Sequence, residues 1–361
     1  MLVDLDYFYA QCEELRNPKL KDKPVVVCVY SGRSQDSGAV STSNYVARKH
    51  GVRSGMPIFL AKRKLENTDA VFLPVDHKFY EEVSARVMSI LKGYADEFEQ
   101  VGIDEAYIDA TERAHGSFQE AKELAQTMKV ELRNDQKLTC SIGVGSNKLV
   151  AKIAADEKKP DGLTIVAPDQ VTGFLAPLPV NRLIGVGTKT VEKMRILGIS
   201  KIGDLAKFNI QKLIATFGKN LGTYFHEAAL GLDNEPVRER GEAESISRIV
   251  TLKQDTRDLT LILERTDDLC DEIHSTIMEQ YLAFKTVEII AITSDMNVHM
   301  RSRTFESPFD NLELMKKTVS ELLEKLLDEI ELEMRRVGVK ISNFVTVEKS
   351  QKQLTSFIKP S

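Results

Sequence analysis

Cysteine is sparse in this sequence, and long hydrophobic runs and a surplus of positive charge are missing altogether. Cys12, Cys28, Cys140 and Cys270 stand far apart and form no CxxC pattern, which excludes a zinc knuckle and a disulfide framework. Cys28 and Cys140 lie in apolar, strand-like runs, so buried reduced thiols without a redox role are expected. No apolar stretch approaches the roughly 18 residues of a membrane span, and no charged-then-apolar leader opens the chain. A soluble, cytoplasmic protein is therefore expected, with no membrane partner. At 361 residues and 42% apolar content, the chain can bury more than one core, and two to four domains are expected. The net charge of −5 argues against a polyanionic partner, but its distribution does not. From Pro308 to Glu333 there are eight acids against three lysines, whereas from Arg335 onward there are six bases and one acid. One basic face on an acidic molecule is compatible with that asymmetry.

Against this background two acidic motifs stand out: Asp4 in LVDLDYFYA, and the adjacent Asp104 and Glu105 in EQVGIDEAYID. Both read as strands with carboxylates beside them. Clustered carboxylates do not all stay ionised unless something cationic sits between them. Magnesium takes hard oxygen ligands from a few carboxylates and a substrate's phosphates, so three carboxylates point to phosphoryl or nucleotidyl transfer. Adjacent strand residues face opposite ways, so Asp104 and Glu105 share a site only at a strand end or turn, which Gly102 permits. On these residues alone, two unrelated acidic loop ends remain an alternative.

The first 166 residues alternate strand and helix patterns. Tyr80, Val83, Val87, Ile90, Leu91 and Tyr94 form one helical stripe; Phe118, Ala121, Leu124, Ala125 and Met128 form another, opened by Ser117 and Glu120 as a capping box. With strand-like runs at 97–101, 106–109 and 138–144 this gives a split βαβ pattern. From about 167 to 232 helices are joined by glycine turns, and Gly185, Gly187 and Lys189 mark a Gly-x-Gly turn opening a helix, a way to hold DNA backbone without reading sequence. A dinucleotide site is excluded there, because Thr190 replaces the third glycine and no strand precedes it. GVGSNK likewise lacks the Gly-Lys of a Walker loop. A polar, Pro-containing segment near 233–244 reads as a linker, after which strands alternate with helices near 258–280 and 311–332.

Seven segments occur in order along nearly the whole chain: VDLDYFYAQCEELRNP, KPVVVCVYSGR, GAVSTSNYVARKHGVRSGMP, VGIDEAYID, SIGVGSNKLVAKIAADEKKPDG, LIGVGTKTVEKMRILGI and RRVGVK. In these the sequence resembles the Y-family DNA polymerases, translesion enzymes of the DinB or DNA polymerase IV type. The resemblance implies an α+β multidomain right hand with a ferredoxin-like palm (1–10 and 76–166), small fingers (11–75), a helical thumb with a helix-hairpin-helix (167–232), a linker (233–244), an α+β little finger (245–346) and a tail (347–361).

It also implies template-directed DNA synthesis from dNTPs on a primer-template, at low fidelity and without proofreading. Two Mg²⁺ ions, with Mn²⁺ as a substitute, would be held by Asp4, Asp104, Glu105 and the Leu5 carbonyl. Tyr9 would be the steric gate against ribonucleotides; strand alternation puts Tyr7 and Tyr9 on one face and Phe8 on the other, and only the motif's register picks Tyr9. Tyr45, Arg48 and Lys159 would hold the triphosphate, and the small residues Gly38, Ala39 and Ser41 would roof the nascent base pair. Arg248, Arg301, Arg303, Arg335, Arg336 and Lys340 would meet DNA backbone. In the tail, Gln351, Leu354, Phe357 and Ile358 resemble a peptide that binds ring-shaped sliding clamps, and a monomer is the default. The first strand is shorter than the family's, so either the start is trimmed or that strand is less well paired. Two rivals share some features: a nucleotide cyclase with a related palm, and a non-catalytic scaffold that binds primer ends and recruits a clamp.

Overall fold

The computed structural model describes residues 1–239, 241 and 243–346. They divide into two compact units, one built from Met1–Val29 and Val40–Arg240, the other from Tyr30–Ala39 and the chain from Gly241 onward.

In the first unit the apolar run LVDL forms β1, Leu2–Leu5, and the chain turns at once into α1, Phe8–Arg16. Next come β2 (Val25–Tyr30), β3 (Gly38–Ser43), α2 (Tyr45–Lys49), α3 (Ile58–Lys64) and β4 (Val71–Pro74), whose strands form a sheet of order β3-β2-β4. The following segment runs α4 (His77–Lys92), β5 (Glu97–Gln100), β6 (Glu105–Asp109), α5 (Phe118–Glu131), β7 (Cys140–Val144), α6 (Lys148–Glu157) and β8 (Leu163–Ile165). It joins β1 in a five-stranded sheet of order β5-β6-β1-β7-β8. Far from being poorly paired, β1 is flanked on both sides, with Asp4 opposite Glu105 on β6 and opposite Ser141 on β7.

The periodic stripe of α4 explains how the sheet is covered: Tyr80, Val83, Val87 and Leu91 are buried with Val3, Leu5, Ile108 and Ile142 in one core. The other face carries α6, which approaches so closely that a Cβ on Gly143 would collide with the backbone of Ala151. The capping box expected at α5 forms only in half. Ser117 Oγ accepts from the Glu120 N–H at 3.3 Å, but the Glu120 carboxylate turns to the His115 ring at 2.7 Å instead of returning to the cap.

Five short helices complete the unit: α7 (Val171–Leu175), α8 (Thr188–Ile196), α9 (Ile202–Ala206), α10 (Ile210–Phe217) and α11 (Lys219–Ala229). They share a core with Leu149, Val150 and Ile153 of α6. The segment expected as a linker carries no regular element, yet its first part is pinned: Asp233 accepts from the Leu149 N–H at 3.0 Å, and Val237 packs by Leu2 and Tyr107.

The second unit contains β9 (Ser245–Thr256), α12 (Leu259–Gln280), β10 (Leu282–Thr293), β11 (Val298–Phe309), α13 (Leu312–Glu329) and β12 (Met334–Thr346). All strand pairs are antiparallel, in the order β11-β10-β12-β9, and Val287, Ile289, Val337 and Val339 pack on Ile273, Leu323 and Leu326 of the two helices. Residues 347–361 lie outside the described residues, and Gln351, Leu354, Phe357 and Ile358 with them. None of the four cysteines is in a disulfide and all are buried, and among the described residues no helix is long and apolar enough to cross a membrane.

Candidate active site

β1 carries Asp4 to the mouth of the central sheet, and the turn between β5 and β6 brings the other two carboxylates beside it. The N–H groups of Val101 and Gly102 both donate to the Glu105 carbonyl, at 3.0 and 3.1 Å, closing a tight turn. Asp104 is thereby set just before β6, with its carbonyl accepting from the Leu5 N–H at 2.9 Å. Asp104 and Glu105 do escape strand alternation by sitting at a strand end.

The carboxylates are short of positive charge. Burial pushes Asp4 up to about 6; Lys159 pulls against this, and Asp104 and Glu105 add to it. Burial likewise pushes Asp104 up, with Glu105 reinforcing the shift. Two lysines partly answer them: Lys159 Nζ lies 2.7 Å from both Asp4 and Asp156, and Lys152 pairs with Glu105. Among the described residues no three acidic, His or Cys side chains close into a ready cage. The donor set of buried hard-oxygen ligands with unmet negative charge nonetheless suits Mg²⁺, which usually takes few protein ligands.

Two residues beyond Asp4, Asp6 does different work. It is 1% exposed. Its oxygens accept from Thr139 Oγ1 at 2.9 Å, Ser141 Oγ at 2.8 Å and the Asp161 N–H at 2.8 Å. It therefore ties β1 to β7 and to the loop that presents Lys159. Nothing in the motif separates this aspartate from Asp4 except its place past the strand end. The lysines carry a better signal: Lys148, Lys152 and Asp156 recur every four residues on α6, one helical face. They meet Glu99, Glu105 and Lys159 in turn.

Tyr9 corrects one expectation. The strand ends at Leu5, and Tyr7 takes the left-handed conformation at φ 37°, capping α1. Two-residue alternation therefore does not apply to Tyr7, Phe8 and Tyr9. Tyr9 sits in the first turn of α1, stacked on Tyr80 with ring centroids 4.3 Å apart and an interplanar angle of 17°. Burial and the nearby Asp104 push its hydroxyl up. Tyr7 instead meets Tyr45 edge-on at 5.4 Å.

Tyr45 opens α2 and Arg48 lies one turn on, its guanidinium 4.7 Å above the Tyr45 ring and its Nε donating to the Ser43 carbonyl at 2.9 Å. Both line a cleft of about 620 Å³ with Lys159. Lys49, Arg53, Arg182 and Asp156 line it too. Three cations beyond those foreseen thus face the same cleft, where the first unit gathers positive charge on an acidic protein. Arg182 comes from a separate helical region and pairs with Glu157 at 3.0 Å, a juxtaposition that no local spacing encodes.

Gly38, Ala39 and Ser41 lie on β3. Gly185 has φ 79°, the left-handed region that favours glycine, and leads through Gly187 at the cap of α8 to the exposed Lys189. Tyr224 donates to the Ile184 carbonyl at 3.0 Å and so braces that turn from α11. In the second unit five of the six candidate phosphate contacts already hold carboxylates. Arg248 pairs with Glu272, Arg301 with Glu329, Arg303 with Glu321, Arg335 with Asp255 and Lys340 with Glu288. Arg336 keeps a buried Nε with no partner among the described residues.

Comparison with known proteins agrees along the whole chain. The model described as "impB/mucB/samB family" matches residues 3–156, and the one described as its C-terminal domain matches 243–356. A model described as "DNA polymerase-iota, thumb domain" matches residues 181–233. The DNA polymerase IV of Nitrosopumilus maritimus is 45% identical over 356 residues, 98% of each chain. That of Methanosarcina acetivorans is 45% identical over 345 residues, 94% of each. Among solved structures, a Y-family DNA polymerase chimera of Dbh and Dpo4 is similar at a TM-score of 0.90 and 36% identity, covering 96% of this chain and 99% of that one. An insertion ternary complex of Dbh DNA polymerase gives a TM-score of 0.69, at 36% identity over the same shares.

Proposed function

Because the chain belongs to the Y-family of DNA polymerases, we propose that Asp4, Asp104 and Glu105 form its catalytic centre and that the neighbouring basic cleft receives the triphosphate of an incoming dNTP. The protein is a DNA-directed DNA polymerase of the translesion type, a metal-dependent nucleotidyltransferase with the right-hand fold. One observation supports the site assignment above others: the carboxylates at the mouth of the central sheet and the cations of the cleft are joined by Lys159, which belongs to both.

Asp4, Asp104, Glu105 and the Leu5 carbonyl would hold two Mg²⁺ ions, with Mn²⁺ as a substitute. When bound, the ions supply charge neutralisation and polarisation of the primer 3′-hydroxyl and the α-phosphate. Arg48 offers a planar fork to phosphate oxygens, Tyr45 a hydroxyl and Lys159 a point charge, so the pyrophosphate leaves from a site that offsets its charge. The reaction attacks the α-phosphate directly and uses no covalent enzyme intermediate. Tyr9, stacked on Tyr80 beside Asp104, would collide with a ribose 2′-hydroxyl. A roof as small as Gly38, Ala39 and Ser41 would test base-pair shape loosely, which accounts for low fidelity.

The division of labour that goes with this reading is a palm in 1–10 and 76–166, fingers in 11–75, a thumb in 167–232, a linker in 233–244 and a little finger in 245–346. Gly185, Gly187 and Lys189 would hold primer-template backbone, and so would Arg248, Arg301, Arg303, Arg335, Arg336 and Lys340. The tail, through Gln351, Leu354, Phe357 and Ile358, would engage a sliding clamp and raise the local concentration of a monomeric, cytoplasmic enzyme at primer ends.

Primer extension with Mg²⁺ on an undamaged primer-template tests the centre. Wild type extends with dNTPs and Asp104→Asn does not. Full extension by a folded Asp104→Asn variant would overturn the assignment.

A further inference from the structure

We propose that Glu14, outside the catalytic centre, is a positioning residue that sets the orientation of the triphosphate-binding helix α2 through Asn44 and Tyr7. The proposal rests on Tyr45 and Arg48 being triphosphate contacts, as read above.

Helix α2 has five residues, too few to hold its own direction. Its direction comes from Asn44, which is 1% exposed. Asn44 Oδ1 accepts from the Ala47 N–H at 3.0 Å, capping the helix, and from the Val25 N–H at 3.1 Å on β2. Its amide donates to the Lys23 carbonyl at 2.8 Å and to Glu14 Oε1 at 2.7 Å. All four bonds available to an asparagine side chain are thereby used, and among the described residues the one to Glu14 is the side-chain hydrogen bond that ties it to α1.

The second oxygen of Glu14 is also engaged, accepting from Tyr7 Oη at 3.2 Å. Tyr7 is held in the left-handed region, at φ 37° and ψ 44°, directly after the strand that bears Asp4. A side chain other than glycine or asparagine stays there only when its surroundings fix it. The Tyr7 ring then meets the Tyr45 ring edge-on, which closes a circuit from Glu14 through Asn44, α2 and Tyr45 back to Tyr7. The two donors, the Asn44 amide and the Tyr7 hydroxyl, reach different oxygens of Glu14, so both ends of the side chain must accept. Carboxylate provides this, whereas a glutamine offers one oxygen and brings two donors of its own. Glu14 thus couples the backbone beside the catalytic carboxylates to the helix that carries Tyr45 and Arg48.

Single-nucleotide incorporation on a primer-template tests this in wild type, Glu14→Ala, Glu14→Gln, Arg48→Ala and the Glu14→Ala/Arg48→Ala double variant. Removal of a charge-assisted hydrogen bond predicts a roughly tenfold rise in dNTP KM for Glu14→Ala, with a smaller rise for Glu14→Gln. The kcat and the primer-template Kd should hold within about twofold, and Glu14→Ala should raise KM by a clearly smaller factor in the Arg48→Ala background than in wild type, because one of the two groups it positions is gone. Full multiplication of the two effects, or a loss confined to kcat or to DNA affinity, overturns the proposal. A raised KM in Arg48→Ala beside an unchanged one in Glu14→Ala overturns it alone; an unchanged KM in Arg48→Ala overturns the triphosphate reading as well. Should Glu14→Ala fail to fold by circular dichroism, Tyr7→Phe replaces it in the same cycle, with an expected KM rise of roughly threefold and a smaller rise in the Arg48→Ala background.

Discussion

Two aspartates two residues apart in one motif should respond to neutralisation with opposite signs. Asp4 is pushed up to about 6 by burial and by its acidic neighbours, against an ordinary value of 3.8. A carboxyl whose folded value is raised opposes folding once ionised: nothing is lost below the unfolded value, the penalty grows between about 4 and 6, and it is complete above. A shift of that size corresponds to about 3 kcal/mol at neutral pH. In metal-free protein, Asp4→Asn should therefore be more stable than wild type, by roughly 1–3 kcal/mol, the shift being already net of the Lys159 pair. At roughly 2–4 °C per kcal/mol, the melting temperature should rise by several degrees.

Asp6→Asn should do the reverse, because it turns one acceptor oxygen into a donor facing hydroxyl and N–H donors; a loss of roughly 2–3 kcal/mol is expected. The assay is thermal melting in EDTA at several pH values. The gain of Asp4→Asn should shrink as pH is lowered from 7.5 to 4.5, and in separate primer extension with Mg²⁺ the variant should be inactive. A melting temperature for Asp4→Asn that is lower than wild type, or a gain indifferent to pH, would refute the account of Asp4 as a carboxylate penalised by burial and by its acidic neighbours.

Tyr9→Ala should admit ribonucleotides, reducing discrimination between dNTP and rNTP roughly a hundredfold in competitive primer extension, with DNA affinity unchanged. Burial pushes the thiols of Cys12, Cys140 and Cys270 up to about 12, and Cys28 is equally enclosed, so a thiol reagent should find no fast-reacting cysteine in native protein at pH 8 and four in denaturant. Gly143→Ala should cost roughly 3 kcal/mol or more by chemical denaturation, since α6 must move off the sheet to make room; an unaffected midpoint would contradict the contact with Ala151.

Much of the fold could be read locally, and the misses have physical causes. The stripe on α4 announced its element because the helix buries one face, which fixes the period of apolar residues, and the order of strands and helices beyond residue 244 was legible as well. That Asp104 and Glu105 could share a site was legible because Gly102 signalled a turn, whereas their meeting Asp4 was implied by the resemblance. Tyr7 was misplaced on a strand because the run of three aromatics hides the point where period two gives way to helix. Asp6 escaped because a buried acceptor and a metal ligand are the same residue type, and only Thr139, Ser141 and Asp161, distant in sequence, tell them apart. Arg182 escaped for a similar reason: its approach to the cleft depends on how separate helices dock, not on spacing.

The ion pairs on the second unit carry a kinetic consequence. Arg248, Arg301, Arg303, Arg335 and Lys340 are each already answered by a carboxylate anchored on the same unit. A phosphate arriving at one of them must displace a tethered competitor that cannot diffuse away, and on release the carboxylate returns at once. If these residues are the backbone contacts proposed above, each contact forms against a tethered rival and is lost without a lag, and the enzyme's residence on DNA should be short.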